Sequence, residues 1–450
     1  MNSKTEKEFD RSRLIIALDI AFLLFAVASL IYAVVTAPQN GIDFLTYHRG
    51  AREWIEGIYN DGAGSLFTYP PFTIPLISPF ALLSFERARI LWLGINLLAT
   101  GVSIHLVLSY FNSWPTKVKL YLALLVLSLA PFRVTLRVGQ ISLIVTALLL
   151  GTLLARRRKR KYLAGVLFGI SLCKFTLGFP FLIYFLWKKE WKILTAAVSL
   201  MLLLTQLYAL RLQLSLITVV SDYINVMSRL SISHTSAFIG STEIKPLLNW
   251  LTGGDHVWST TLFVVLLTSS VIAMAFAFTR RPEAERIHFA ILSLFALWAV
   301  YHRTYDSVLY IIPIALLIDF LVHREYKAFS IFWLAATGLL VLSIPGLLIS
   351  RLGITEETIT HSVFITAAVH IERILTFGMF GSLLFLLWKS SSTRSQTWSS
   401  NYSAVSSDNR TPEAAKRVSN VSRLSVRSRC GEGCFDSRRR FNSDVSPRGA

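Results

Sequence analysis

The residues of this sequence that could do chemistry stand in a few short stretches, each beside a long apolar run. One carboxylate, Asp43, follows the first such run, and a lysine, Lys174, stands in the middle of another. A carboxylate can accept a proton, and fixed cations can stabilise a phosphate. Together they suit a reaction on a phosphate-bearing lipid. The candidate residues are Asp43, Tyr47, His48, Arg49, Arg52, Arg133, Arg137, Gln140, Lys174, His302, Arg303 and Asp306.

Plainer roles are open for the two most prominent candidates. Asp43 could be an ordinary loop carboxylate that pairs with Arg49. Lys174 lies deep in an apolar segment, where a charge is costly and usually functional. It could also extend its ammonium to the interface or meet a buried acid.

The remaining candidates have plainer roles as well. Gln140 could simply hydrogen-bond a neighbouring helix. Arg303 and Asp306 could pair within one helical turn. Tyr69 and Phe72 fit an aromatic belt at the membrane interface.

The composition predicts that helices in a membrane carry these residues. Of the 450 residues 53% are hydrophobic and only 16% are charged, and the mean hydropathy is +0.54. Apolar runs of roughly 15 to 25 residues recur from Leu14 to Trp388, as in a polytopic helical membrane protein. The formal charge of +19 lies in short loops and the last part of the chain. That distribution indicates membrane orientation and excludes a nucleic-acid partner.

Basic clusters predict which side each loop faces. Lys4, Lys7, Arg11 and Arg13 place the N-terminus in the cytoplasm, so that Asp43 emerges on the opposite face. Further cytoplasmic clusters are Lys117/Lys119, 156–161, 188–192, 280–286, 323–327 and the tail after Lys389.

Two of these clusters, at 156–161 and 188–192, are too close for ordinary spans between them. Two crossings need roughly 40 residues, and residues 162–187 are fewer. One crossing would leave a basic cluster outside. We therefore predict a re-entrant hairpin of two short helices with Lys174 near its turn, a shape that survives only where protein or a wet cavity covers it.

The resulting prediction is an all-α bundle of about ten transmembrane helices, plus the hairpin and a juxtamembrane outer loop. Residues 67–85, rich in proline and aromatic residues, are predicted to be a juxtamembrane or re-entrant piece, and a full crossing there would invert the sidedness of the later loops. Residues 1–13 form a cytoplasmic N-terminus, 14–389 the membrane domain, and 390–450 a disordered basic cytoplasmic tail. The predicted spans are 14–36, 88–110, 118–134, 139–155, 193–212, 259–279, 287–300, 307–322, 328–350 and 362–388.

An ordered set of segments resembles glycosyltransferase family 87, integral membrane enzymes of the GT-C type. The segments are "IDFLTYHRGAREWIEGIYN…FTYPPF", "VGQISLIVTALLL", "LAGVLFGISLCKFTLGFPFLI" and "YHRTYDSVL". The resemblance covers roughly residues 10–390. It implies a GT-C-like fold and a plasma-membrane enzyme whose active site lies on the non-cytoplasmic face. Asp43, Lys174 and Gly139–Gln140 match the family pattern, whereas "HRTYD" departs from the Trp-Asp-His type of sequence that relatives often carry there.

The reaction implied by this resemblance is transfer of a hexose, expected to be mannose, from a polyprenyl-phosphate sugar to a lipid or glycan acceptor. Asp43 would be the general base, and direct attack would invert the anomeric centre. Lys174, Arg303 and Arg137 would bind the donor phosphate. The predicted substrate-binding residues are Tyr47, Arg49, Gln140, His302 and Asp306. No cofactor is expected, and no metal, since the sequence has no Asp-X-Asp motif.

Two other classes compete with this interpretation. A membrane transporter or lipid flippase could also use Lys174 and buried arginines, but it predicts polar residues at the midplane of several helices and related halves. A non-catalytic scaffold would leave the lysine in the membrane unexplained. The sequence does not reveal the sugar, the acceptor, the linkage or the oligomeric state.

Overall fold

The structure, a computed structural model, describes residues 3–59, 68–111, 113–233, 242–300, 302–341 and 363–389. These residues form helices, with no β-strand among them. The predicted all-α fold is therefore confirmed. The predicted tail, Tyr301 and residues 342–350 and 362 of the last two predicted spans lie outside the described residues.

Within each described range the helices follow one another with short connections. In the described part of the chain, two 3₁₀ segments, Leu172–Lys174 and Thr304–Tyr310, interrupt the α-helices. The α-helices are α1 (Ser3–Asn40), α2 (Ile42–Glu56), α3 (Thr73–Ala81), α4 (Phe85–Tyr110), α5 (Thr116–Ser128), α6 (Ala130–Val138), α7 (Ser142–Arg157), α8 (Lys161–Ser171), α9 (Phe175–Trp187), α10 (Trp191–Arg211), α11 (Leu216–Ser233), α12 (Lys245–Leu251), α13 (His256–Arg280), α14 (Glu285–Ala299), α15 (Ile311–Val322), α16 (Lys327–Val341) and α17 (Val363–Lys389).

Within the described ranges, seven helices are long and apolar enough to cross a membrane, or eight if the bent pair α5–α6 counts as one span. The bend of 49° falls at Leu129, whose backbone is extended. Pro131 then stands in the first turn of α6, where its missing N–H costs nothing. The predicted spans at 139–155, 287–300 and 328–350 correspond to the shorter helices α7, α14 and α16. The chain is thus a multi-pass helical membrane protein.

The segment Lys161–Trp187 is one of those seven by length and composition, but its two ends lie side by side. The Lys161 ammonium is 2.8 Å from a carboxylate oxygen of Glu190, just beyond α9. The chain leaves helical geometry at Lys174 (φ −111°, ψ 78°) and turns back there. Arms of 11 and 13 residues reach only about 20 Å at 1.5 Å per residue, short of a crossing. The predicted re-entrant hairpin, with Lys174 at its turn, describes this geometry.

Close helix packing fixes the depth of the hairpin. A Cβ on Gly165 of α8 would lie 2.5 Å from the Ala196 Cβ and 2.6 Å from the Ile193 carbonyl oxygen of α10. Only glycine allows two backbones to approach this closely, as is common between helices in membranes. The hairpin tip is therefore held inside the bundle.

The segment predicted to be juxtamembrane forms α3, whose nine residues are too few to cross a membrane. It packs beside α2 and α10, and Phe72 at its start is only 2% exposed. The interfacial-belt interpretation is therefore wrong for Phe72, which is a core residue.

Candidate active site

Two segments of the chain meet at the Asp43 carboxyl group. Asp43 lies in the first turn of α2 and is half-buried. The Gln140 side-chain nitrogen, just after α6, donates to Asp43 Oδ2 at 3.0 Å. The interpretation that Asp43 pairs with Arg49 is wrong, because Arg49 extends outward from α2 and pairs with Glu53 at 2.9 Å.

The amide of Gln140 is held in one orientation from its other end. Its oxygen accepts from the hydroxyls of Tyr47 and Tyr69, the latter at 2.7 Å, and from the Ile141 backbone N–H at 2.9 Å. Three donors at the oxygen leave the amide nitrogen to face Asp43. Tyr69 thus belongs to this polar network.

Gly139, whose backbone has left-handed geometry, places Gln140 beside Asp43. Gly139 has φ +72°, and a Cβ on it would lie 2.7 Å from the Phe44 Cβ. Its carbonyl accepts from the Trp92 indole N–H at 2.8 Å. Glycine is required at this turn because the backbone has positive φ and α2 approaches closely.

A second group of polar side chains surrounds the hairpin tip. Lys174 is 7% exposed and Asp306 2% exposed, and their charged groups are 2.5 Å apart. Lys174 also donates to Ser142 Oγ at 3.0 Å, and Ser142 donates to Asp306 at 2.5 Å. The Tyr305 ring lies 4.7 Å from the ammonium. The alternative that Lys174 meets a buried acid is therefore confirmed.

His302 completes this group. Its Nδ1 lies 2.9 Å from Asp306 Oδ2, and its ring is fully buried. An ionised carboxylate only accepts, so Nδ1 carries the proton it donates. No described residue hydrogen-bonds Nε2, which in the neutral ring is a basic lone pair. The pairing of Asp306 with Lys174 and His302 replaces the simpler Arg303–Asp306 pair.

The charges of Lys174 and Arg303 act on the Asp43 carboxyl. Burial raises the pKa of the Asp43 carboxyl above its ordinary value, while the positive charges of Lys174 and Arg303 act to lower it. Arg303 is exposed, immediately before the 3₁₀ segment. A carboxylate with a raised pKa and cations within electrostatic reach has the properties of a general base beside an anion site.

The other predicted residues lie at the edge of this arrangement or outside it. Arg137 is half-buried in the last turn of α6, and no described residue forms an ion pair with it. His48 Nε2 bonds the Leu83 carbonyl oxygen at 3.1 Å, and Arg52 pairs with Glu56. Arg133 donates to Ser29 and the Ser128 carbonyl. Arg49, predicted to bind substrate, stands apart from the Asp43 network.

Ser142 and Tyr305 join the site without having been predicted. Ser142 begins α7 two positions after Gln140, and Tyr305 precedes Asp306. A sequence carries no signal that separates such a serine or tyrosine from the many others in apolar runs. Only their neighbours in space identify them.

A membrane bundle with a buried set of acid, base and cation side chains defines the class of an integral membrane enzyme. The profile of glycosyltransferase family 87 matches residues 67–301, more than half of the chain. The chain belongs to glycosyltransferase family 87, and the predicted membership is confirmed.

Curated relatives are similar over part of their length. The polyprenol-phosphate-mannose-dependent alpha-(1-2)-phosphatidylinositol mannoside mannosyltransferase of Mycobacterium tuberculosis is 28% identical over 182 residues, 35% of this chain and 42% of the relative. An alpha-(1->3)-arabinofuranosyltransferase of the same species is 31% identical over 186 residues, 38% of this chain and 43% of the relative. The match thus spans less than half the length of either relative.

A solved structure is similar at a low level. The crystal structure of ArnT from Cupriavidus metallidurans in the apo state is 16% identical, with a TM-score of 0.32 over 82% of this chain and 77% of that one. A TM-score this low carries no conclusion about the present chain.

Proposed function

We propose that this protein transfers mannose from a polyprenyl-phosphate donor to a hydroxyl of a lipid or glycan acceptor on the non-cytoplasmic face of the plasma membrane. The observation that carries the proposal is the Asp43 carboxyl, desolvated, oriented by Gln140 and within reach of the charges of Lys174 and Arg303. Membership in family 87 supports the reaction class, and the mannosyltransferase relative supports the donor.

Asp43 acts as the general base in this mechanism. It takes the proton from the acceptor hydroxyl while the hydroxyl oxygen attacks the anomeric carbon and the lipid phosphate leaves. Phosphate is a good leaving group, so one base suffices and the anomeric centre inverts. Gln140 fixes the carboxylate so that a lone pair faces the acceptor.

Cations stabilise the departing phosphate. Arg303, exposed beside the site, offers a planar fork of donors for phosphate oxygens. Lys174 has three donors, of which Asp306 and Ser142 take two. Arg137 is the third phosphate ligand that we propose, at the rim of the site.

The sugar has a second candidate. The arabinofuranosyltransferase relative is slightly more identical than the mannosyltransferase relative, 31% against 28%. Arabinofuranose is therefore the alternative sugar on the same lipid phosphate.

The test uses membranes containing wild-type protein, Asp43→Asn or Glu56→Gln, supplied with radiolabelled polyprenyl-phosphate-mannose or polyprenyl-phosphate-arabinofuranose. Glu56 lies on the same helix, with its side chain half-exposed and paired with Arg52, so Glu56→Gln is the matched control. We expect wild type and control to transfer label from one donor and Asp43→Asn to lose about 100-fold or more, the scale of a lost general base.

Other outcomes would change the assignment. Transfer that survives Asp43→Asn would remove Asp43 from the mechanism and point to the His302–Asp306 pair as the base. Label that crosses the membrane without transfer would support the transporter class instead.

A further inference from the structure

A third polar cluster lies next to Asp306, and the proposed mechanism assigns it no role. The fully buried Arg373 contacts His370 Nδ1 at 2.6 Å, and the His370 ring stacks on Trp250 with ring centres 5.7 Å apart. We call this group the α12–α17 cluster. Its members are Glu243, Trp250, His370, Glu372 and Arg373.

The α12–α17 cluster is continuous with the candidate active site. Glu372 accepts a hydrogen bond at 3.3 Å from Ser307, the residue after Asp306. The Thr242 backbone N–H, next to Glu243, donates to the His302 carbonyl oxygen at 3.0 Å. A molecule bound between α12 and α17 would therefore lie beside the reacting groups.

Two polar groups of this cluster, the Glu243 carboxyl and His370 Nε2, have no hydrogen-bond partner among the described residues. In the described part of the chain, no residue hydrogen-bonds or pairs with the half-buried Glu243 carboxyl. His370 is fully buried, and no described residue bonds its Nε2. Buried polar groups are nearly always hydrogen-bonded in folded proteins, so the buried His370 Nε2 has capacity for a ligand. The half-buried Glu243 carboxyl can bind the same ligand.

The chemistry of the groups favours a neutral ligand with hydroxyls. The one guanidinium of the cluster, Arg373, lies within electrostatic reach of two carboxyl groups, Glu243 and Glu372, so the cluster does not offer the unopposed positive charge that favours a phosphate. Burial raises the pKa of Glu243 to about 7, although Arg373 and Lys245 act to lower it, so that near neutral pH its carboxyl can both donate and accept. The half-buried Trp250 supplies an apolar ring face. An aromatic face beside a few placed polar groups is a common design for binding small polar molecules.

We propose that the α12–α17 cluster is a subsite that binds a sugar ring through its hydroxyls. This inference rests on the proposed function. The ring belongs either to the acceptor glycan or to the donor, since both present the same hydroxyl chemistry.

The experiment measures equilibrium binding, not turnover, so a failure of the proposed reaction does not decide it. Purified protein in lipid nanodiscs carries Asp43→Asn as background, with Glu243→Ala, Trp250→Ala, Glu56→Gln or Trp258→Phe added. Trp258 is 63% exposed on α13 and is the aromatic control. The probes are octyl α-mannoside, polyprenyl-phosphate-mannose and polyprenyl phosphate without sugar.

We expect Glu243→Ala and Trp250→Ala each to weaken binding of one mannose-bearing probe about tenfold, the effect of losing roughly 1.4 kcal/mol. The control variants Glu56→Gln and Trp258→Phe should bind every probe with unchanged affinity. Weaker binding of octyl mannoside alone would assign the subsite to the acceptor, and weaker binding of polyprenyl-phosphate-mannose would assign it to the donor. Polyprenyl phosphate should bind equally to all variants, which also checks folding.

Three results would overturn the subsite. The first is that Glu243→Ala and Trp250→Ala both leave the affinity for both mannose-bearing probes unchanged, and the second is that the background protein binds neither of these probes. The third is that the two variants weaken binding of polyprenyl phosphate as much as binding of the mannose-bearing probes. Loss of transfer by Asp43→Asn with any of these results would leave the proposed reaction standing without the subsite.

Discussion

At the scale of single residues, the behaviour of Asp43 depends on one amide. Gln140 donates to the carboxylate and so lowers its pKa, against the effect of burial. Tyr47 and Tyr69 matter because they hold that amide by its oxygen. Tyr47 and Tyr69 therefore position Gln140, and Gln140 positions the proposed base, Asp43.

We predict that Gln140→Ala moves the acidic limb of the pH–rate profile to higher pH. A general base must be ionised, so activity is lost as pH falls through the pKa of Asp43, which already lies above its ordinary value. Removing the hydrogen bond raises that pKa further. The measurement is kcat/KM for label transfer between about pH 4 and pH 8. The limb should stay in place for Glu56→Gln, and an unmoved limb in Gln140→Ala would contradict the role of Gln140.

A second prediction concerns the Lys174–Asp306 pair. Lys174→Met leaves a buried carboxylate without its cation, which costs about 3–5 kcal/mol of stability. Lys174→Met combined with Asp306→Asn removes both charges, so we expect thermal stability to recover in large part while transfer stays low. Thermal unfolding in detergent measures the first effect and label transfer the second. Equal instability of single and double variants would show that the pair acts through shape and not charge.

At the scale of helices, the hairpin formed by α8 and α9 delivers Lys174 to its partners. Its close contact with α10 depends on Gly165, where a Cβ would fall 2.5 Å from Ala196. A displaced α8 carries its tip away from Asp306. The position of Lys174 within the bundle therefore depends on Gly165, about two helical turns earlier in the chain.

We predict that Gly165→Ala lowers both stability and transfer. Overpacking at such a contact costs about 1–3 kcal/mol, and the shift should reduce activity more than the loss of folded protein explains. Gly94→Ala on α4 is the matched control, since a Cβ there meets no atom within 4 Å. Thermal unfolding and transfer per folded molecule are the two measurements. Wild-type transfer by a destabilised Gly165→Ala would separate the hairpin from the reaction.

The hairpin was predictable because two basic clusters too close for two crossings demand the same side of the membrane. Asp43 and Gln140 could be nominated because each stands at the end of an apolar run. The contact between Lys174 and Asp306 could not, since no periodic pattern connects residues so far apart in sequence. The α12–α17 cluster also escaped prediction, because Glu243 and Trp250 are more than 100 residues from His370, Glu372 and Arg373 in the sequence and no periodic pattern connects the two sets.

At the scale of the whole molecule, the polar residues divide between two ends of the bundle. Glu190 near one end pairs with Lys161 and Arg156, and Asp43 lies toward the other. The basic loops predict that the Glu190 end faces the cytoplasm.

This orientation gives a prediction for intact cells. With Cys430 and Cys434 replaced by serine and the buried Cys173 kept, a cysteine at Glu56 should react with a membrane-impermeant maleimide added outside. A cysteine at the exposed Arg158 should react only after permeabilisation. The reverse pattern would place Asp43 in the cytoplasm and contradict the proposed lipid-linked donor site.

The pairing at the hairpin tip also constrains how the protein is made. Lys174 leaves the ribosome long before Asp306, so during synthesis the first half of the bundle holds an ammonium whose counter-ion does not yet exist. That charge disfavours burial of the tip until the chain beyond α14 has been inserted. The order of the sequence therefore delays assembly of the reaction centre until most of the membrane domain is in place.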